Sequence, residues 1–417
     1  MSRVARTAHR TIAALDVGTS KIACLLARRE DEGGVLALGV GQTVARGIEA
    51  GAVVDMEAAG RAVAMAVQAA EQAAGERIDE VYVNVSAGAP ASQTVVVEVA
   101  VGGHEISERD VRRILGHSRS ATDAPDRAVV QSFTVGYTID GGNGIRDPRG
   151  MVADRLGVHV HLVTAGSTPL RNLETCIARG HLDIAQRIVT PYASALAALV
   201  DDEMKLGVTV VDMGAGTTSA AVFVDGTCVR TEIVPIGGQH VTNDIARVLS
   251  TPTAHAERMK TLFGSAVASR DDDREVIDVP TLGEPGSSGI NHVPRSLLIG
   301  VIRPRVEETL EILRSRLEDA GVLKAAGRRL VLTGGASQLP GVRELAAQVL
   351  GKQARMGKPM WVKGLPATAA GPALATCAGL LRYAQREAVE PLAMPWVVQP
   401  GLLDRFGRFG QWLRETF

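Results

Sequence analysis

Two short stretches carry residues suited to holding a phosphorylated ligand. In Asp212-Met213-Gly214-Ala215-Gly216-Thr217-Thr218, and again in Asp16-Val17-Gly18-Thr19-Ser20-Lys21, an aspartate is followed by glycine and hydroxyl residues. Glycine lets backbone N–H groups approach an anion, and a carboxylate is a hard oxygen ligand for Mg²⁺, directly or through water. Lys21 adds a point charge that can reach a phosphate. A third stretch, Gly334-Gly335-Ala336-Ser337, lies between an apolar run and a helical pattern, where backbone can also pass close to a ligand. Glu257 and Lys260 stand three apart on a helical pattern, a spacing that on its own reads as a surface ion pair.

The elements that must position these groups follow from local patterning. Residues 208–211 form an apolar run ending on Asp212, and 219–224 and 227–234 read as two further strands joined by the hairpin signal Asp225-Gly226. Residues 11–15, 22–28 and 35–44 repeat this plan around Asp16. Two such units in one chain predict a duplicated, two-lobed α/β architecture.

Elsewhere, 55–74 reads as an Ala-rich helix stopped by Gly75, and 80–85 as a strand. Residues 86–166 change character, with strands near 93–101, 129–139 and 156–163, a short helix to about Leu115 and a polar loop at 140–144; they are expected to form an inserted subdomain. A helix capped by Thr168, a strand at 181–189 and a short helix after Pro191 follow. Helices are expected over 239–249, 254–262, 305–320, 342–350 and 367–383, strands over 275–279 and 329–333, and a loop through most of 270–289.

With 417 residues, the chain has room for two or three domains. A formal net charge of −1 argues against nucleic-acid binding through bulk charge. The four cysteines are far apart and lack C-x-x-C spacing, so neither a disulfide framework nor a zinc site is expected. The basic N-terminus meets Asp16 too early for a signal peptide, and no apolar stretch is long enough to span a bilayer.

The last residues are distinctive. After a Pro-containing linker at 385–400, Leu402, Phe406, Phe409, Trp412 and Leu413 make one apolar helical face, with Arg405 and Arg408 available to lipid headgroups. Three of the six phenylalanines lie in this segment of a chain that is only 3% aromatic, which separates it from an ordinary tail. The same face would also suit docking on the protein's own body.

The Asp16 loop, the Asp212 loop and Val331-Leu332-Thr333-Gly334-Gly335-Ala336-Ser337, in that order and with two intervening helices near Pro191 and Pro372, resemble the nucleotide motifs of the actin/Hsp70/sugar-kinase ATPases. The D-x-G-T-S-K-I-A opening, Gly237-Gly238 before Thr242-x-Asp244, and the L-T-G-G-A-S-Q-L-P-G segment are most similar to the FtsA family of bacterial cell-division proteins.

That resemblance implies an actin-like (ribonuclease H-like) ATPase fold divided into a first lobe core of 10–85, 167–204 and 363–384, the inserted subdomain, a second lobe core of 205–232 and 299–362, and a subdomain of 233–298. It implies ATP and Mg²⁺ as ligands, with Asp16 and Asp212 holding the metal through water and Gly18, Thr19, Ser20, Lys21, Gly214, Gly216, Thr217 and Thr218 around the phosphates. Gly238, Glu257, Lys260, Gly334, Gly335 and Ser337 would contact the nucleoside. It further implies self-assembly, lipid binding at the inner face of the cytoplasmic membrane through the terminal helix, recruitment of later division proteins, and docking of the C-terminal peptide of the tubulin-like protein FtsZ, with Arg295 and Arg303 as contacts. Thr190 stands where chaperone-type relatives place a carboxylate, which implies slow hydrolysis. A metabolite kinase and a pilus-type assembly scaffold are the competing readings, and neither gives the aromatic tail a role.

Overall fold

The computed structural model describes residues 11–30, 34–120, 124–282 and 289–389. The tail helix and most of the linker read from the sequence lie outside these residues. Among the described residues the chain builds two lobes on one repeated plan. In the first, the strands Thr11–Val17, Lys21–Arg29 and Val35–Val44 form an antiparallel meander, which Glu80–Val85 and Asp183–Val189 extend in parallel beyond Thr11–Val17. In the second, Val208–Met213, Thr218–Val224 and Thr227–Val234 form the same meander, extended in parallel by Arg329–Thr333 and Gln353–Met356. Val208–Met213 is buried at every position, which explains its apolar character apart from Thr209 and Asp212: both faces of this central strand are covered by helices.

The helix Met56–Ala74 covers one face of the first sheet, its start fixed by the Asp55 carboxylate, which accepts from the N–H groups of Glu57 and Ala58 at 3.0 Å each. On the other face lie the helices Thr190–Ala198 and Ala375–Val389, which also bridge the lobes. These two pack with almost nothing between them. A Cβ on Gly379 would sit 1.7 Å from the Ala193 carbonyl oxygen, so only glycine permits the approach.

The inserted subdomain is a four-stranded antiparallel sheet, in the order Ala91–Glu105, Val152–Gly166, Arg127–Ile139 and Gly142–Ile145, with the helix Glu108–Ser120 packed on it. It docks on the second lobe, where Arg230 donates to the Ser92 carbonyl at 3.0 Å and the Thr231 N–H to Ser92 Oγ at 3.2 Å.

Several sequence expectations are corrected. The 140–144 loop is a hairpin whose far strand is Gly142–Ile145. The helix after the insertion starts at Ser167 behind Gly166, not at a Thr168 cap. Helix Asp201–Leu206 and strand Ile290–Pro294 were not anticipated. The helix expected from Arg305 begins ten residues earlier, as Arg295–Asp319 with Pro304 inside it, and runs across the expected 298/299 domain boundary. The final helix starts only after a 3₁₀ turn at Pro372–Leu374 and continues through residues assigned to the linker, to Val389. All four cysteines are buried and free. Among the described residues, no helix is long and apolar enough to cross a membrane.

Candidate functional site

The two aspartate-bearing turns face each other across a cavity of about 600 Å³ between the lobes. They fold alike: Gly18 N–H donates to the Lys21 carbonyl at 3.1 Å, and Gly214 N–H to the Thr217 carbonyl at 2.9 Å. A Cβ on Gly216 would lie 2.3 Å from Thr19 Oγ1, so the turns touch across the cleft. Glycine at position 334 has φ +86°, and a Cβ there would meet Asp212 Oδ1 at 2.2 Å. That position therefore requires glycine for both conformation and space.

Asp16 and Asp212 are both buried in this cleft. Burial pushes the Asp16 carboxyl up to about 7, opposed by the Lys21 ammonium and reinforced by Asp212. Burial also raises Asp212, against hydrogen bonds from Ser194 and Thr376 and the charge of Lys21. Lys21 Nζ donates to the Ala373 carbonyl at 2.6 Å. Such a pair of desolvated carboxylates beside the Lys21 ammonium is an arrangement poised to accept a cation. The buried Thr218 Oγ1 has no partner, a further polar atom left for a ligand.

Glu257 and Lys260 form their ion pair at 2.7 Å, but on the cavity wall. Lys260 Nζ also donates to Thr242 Oγ1 at 2.7 Å and to the Gly238 carbonyl at 3.0 Å, while Thr242 Oγ1 also hydrogen-bonds Glu257 Oε2. The pair is thereby tied to the start of the helix Gly238–Val248, whose Gly238 N–H donates to the Gly214 carbonyl at 2.9 Å.

The cavity wall includes Asp16, Gly18, Thr19, Ser20, Lys21, Asp212, Gly214, Gly216, Thr217, Thr218, Gly238, Glu257, Lys260, Gly334 and Gly335. Ser337 is the exception. It is buried behind the wall, where its Oγ donates to the Gly334 carbonyl at 2.7 Å and braces the loop, and its neighbour Gln338 lines the cavity instead. Arg295 and Arg303 lie on the helix Arg295–Asp319, away from this wall.

Sequence reading missed Asn84, Ser86, Ser194 and Thr376. Asn84 Oδ1 accepts from Val17 N–H at 2.8 Å, and its amide donates to Thr190 Oγ1 at 3.3 Å, with Ser86 Oγ 2.7 Å from the same hydroxyl. The available signal was a polar residue within an otherwise apolar strand or helix, as in Tyr-Val-Asn-Val and Ala-Ser-Ala-Leu. Among the described residues, no group of three or more His, Cys, Asp or Glu side chains converges as a metal site, so a cation here would take most of its ligands from water and phosphate.

Duplicated meanders closing on a cleft through paired acidic turns define the actin-like ATPase fold. Solved structures that share it include the PilM-PilN type IV pilus biogenesis complex, with a TM-score of 0.64 at 16% identity over 90% of this chain and 99% of that one. MreB5 of Spiroplasma citri bound to ADP has a TM-score of 0.54 at 12% identity over 92% and 99%.

The insertion narrows the class. A family model described as "SHS2 domain inserted in FTSA" matches residues 88–164, and one described as "Cell division protein FtsA" matches residues 209–379. Cell division protein FtsA of Rhizobium meliloti (strain 1021) is 41% identical over 418 residues, covering 97% of this chain and 95% of the relative. That of Escherichia coli (strain K12) is 31% identical over 423 residues, covering 99% of each. The chain belongs to the FtsA family of cell division proteins.

Proposed function

We propose that this chain is an ATP-binding, self-assembling adaptor that ties FtsZ filaments to the inner face of the cytoplasmic membrane at the division site and recruits later division proteins. The cleft carries the nucleotide half of this reading: two buried aspartates, Lys21 and the unpartnered Thr218 hydroxyl converge on a nucleotide-sized cavity. Asp16 and Asp212 would hold Mg²⁺ through water, and the bound ion would neutralise phosphate charge. The solved MreB5 structures bound to ADP and AMPPNP support a nucleotide as a ligand of this fold.

The chain's own residues bind and orient more than they activate. Among the described residues, the carboxylates on the cavity wall are Asp16, Asp212 and Glu257; the position of Thr190 offers only a hydroxyl, already engaged by Asn84 and Ser86. Hydrolysis is therefore slow, and nucleotide acts mainly as a conformational and assembly ligand. Membrane attachment falls to the aromatic face at Phe406, Phe409 and Trp412, and FtsZ-peptide docking to the 233–298 region with Arg303.

The test is assembly on anionic vesicles with and without ATP. Asp212→Ala should weaken Mg-ATP binding and filament formation while vesicle binding persists; truncation before Gly401 should abolish vesicle binding. Equal ATP affinity in wild type and Asp212→Ala would reject the site, and vesicle binding unchanged by truncation would reject the anchor.

A further inference from the structure

Asp212 belongs to the second lobe, yet its Oδ2 is held by two hydroxyls from outside that lobe's sheet. Ser194 Oγ, from Thr190–Ala198, donates to it, and Thr376 Oγ1, from Ala375–Val389, donates at 3.1 Å. The hydroxyls are themselves 2.9 Å apart, and all three side chains are buried. Each hydroxyl has one proton, so both donate to the carboxylate or Thr376 relays through Ser194; either way the plane of the carboxylate is set by both bridging helices. Among the described residues Asp16 has no comparable clip: the polar group next to it, Asn84, binds the Val17 N–H instead.

Both donors of this clip ride on the bridging helices, which pack closely at Gly379 and Ala193, while the acceptor rides on the second lobe's strand Val208–Met213. A change in the angle between the lobes therefore reaches Asp212 through Ser194 and Thr376. The outer-sphere partners of a metal-holding carboxylate fix its orientation, and losing one typically costs about 10–100-fold in metal affinity.

We propose that Ser194 and Thr376 are positioning residues that act through Asp212, so that the Mg²⁺-dependent part of nucleotide affinity is set at the hinge between the lobes. This rests on the nucleotide reading above and adds to it where that affinity is controlled.

The experiment is calorimetric titration of the full chain with ATP, in Mg²⁺ and in EDTA, for wild type, Ser194→Ala, Thr376→Val and Thr376→Ser. Both truncations are close to isosteric and lie on different helices, so the test stays decisive if one variant fails to fold, as monitored by circular dichroism. Ser194→Ala and Thr376→Val should each reduce the Mg²⁺-dependent gain in affinity about tenfold, with affinity in EDTA unchanged, while Thr376→Ser keeps the gain. In an Asp212→Asn background, Ser194→Ala should cost nothing further, because the two residues act as one unit.

A wild-type Mg²⁺ gain in both truncations, or equal losses in Mg²⁺ and EDTA, overturns the positioning role while leaving the nucleotide reading intact. A wild-type chain that binds no ATP in either buffer removes both.

Discussion

His161 lies fully buried where the inserted subdomain meets the second lobe, stacked on Phe133 with ring centroids 5.2 Å apart. Nδ1 faces the Cys228 carbonyl at 3.0 Å, which can only accept, so Nδ1 carries the proton and Nε2 accepts from Ser92 Oγ at 2.5 Å. Burial, with the Arg230 guanidinium nearby and partly offset by the Cys228 hydrogen bond, lowers its pKa from 6.5 to about 4. The folded state therefore prefers the neutral ring: this stabilisation is complete above pH 6.5 and is lost as pH falls towards 4, by on the order of 3 kcal/mol. Thermal denaturation across that window should show a steeper loss for wild type than for His161→Gln, and parallel slopes would refute the assignment. The residue could not be singled out from sequence, because a histidine in an alternating strand does not disclose that its neighbour is another lobe. Asp16 and Asp212, by contrast, were legible, because the glycines that let backbone approach a ligand follow them directly in the chain.

At the scale of elements, the contact between Thr190–Ala198 and Ala375–Val389 leaves no room for a methyl group. Gly379→Ala would force the bridging helices apart and should lower stability by about 3 kcal/mol, read as a fall in unfolding temperature. Arg295 and Arg303 separate just as clearly. Arg295 donates to Asp272 at 2.8 Å and to the Phe263 carbonyl at 2.7 Å, and Asp272 is 2% exposed. Arg295→Ala removes that carboxylate's counter-ion, leaving it the Ser269 N–H, and should cost about 3 kcal/mol, whereas Arg303, paired loosely with Glu307 at 3.7 Å, can be replaced with little loss of stability. Of the two, Arg303→Glu is therefore the variant that tests the proposed acidic-peptide contact in a well-folded protein; comparing melting curves with peptide titrations of both variants checks this. Strong apolar runs and turn signals made most strands legible. The Arg295–Asp319 helix was expected only from Arg305, just past Pro304; that proline is tolerated inside the helix because the Gly300 carbonyl, four residues back, lies on an exposed turn where water can replace the lost N–H. Ile290–Pro294 escaped because its side chains are mostly exposed and leave no apolar alternation.

For the molecule as a whole, the duplicated meander was readable because each copy carries its own aspartate turn, while the seating of the insertion on the second lobe depends on pairings more than a hundred residues apart, such as Arg230 with Ser92. Closure of the lobes depends on the turns meeting at Gly216 and Thr19. Gly216→Val should hold them apart, giving a larger radius of gyration in small-angle scattering and an ATP affinity at least about tenfold weaker; wild-type dimensions and affinity would count against that contact.

The discontinuity of the first lobe also bears on the order of biogenesis. The sheet of the second lobe is drawn from one stretch of chain, 208–356, but the strand Thr11–Val17 waits for Ala375–Val389, where the Cys377 thiol reaches the Ala14 carbonyl across 363 positions. During synthesis, the lobe begun first is completed last. A nascent chain stalled before that helix would hold the complete sheet of the second lobe beside a first sheet covered by Met56–Ala74 on one face but by Thr190–Ala198 alone on the other, its remaining apolar surface open to water.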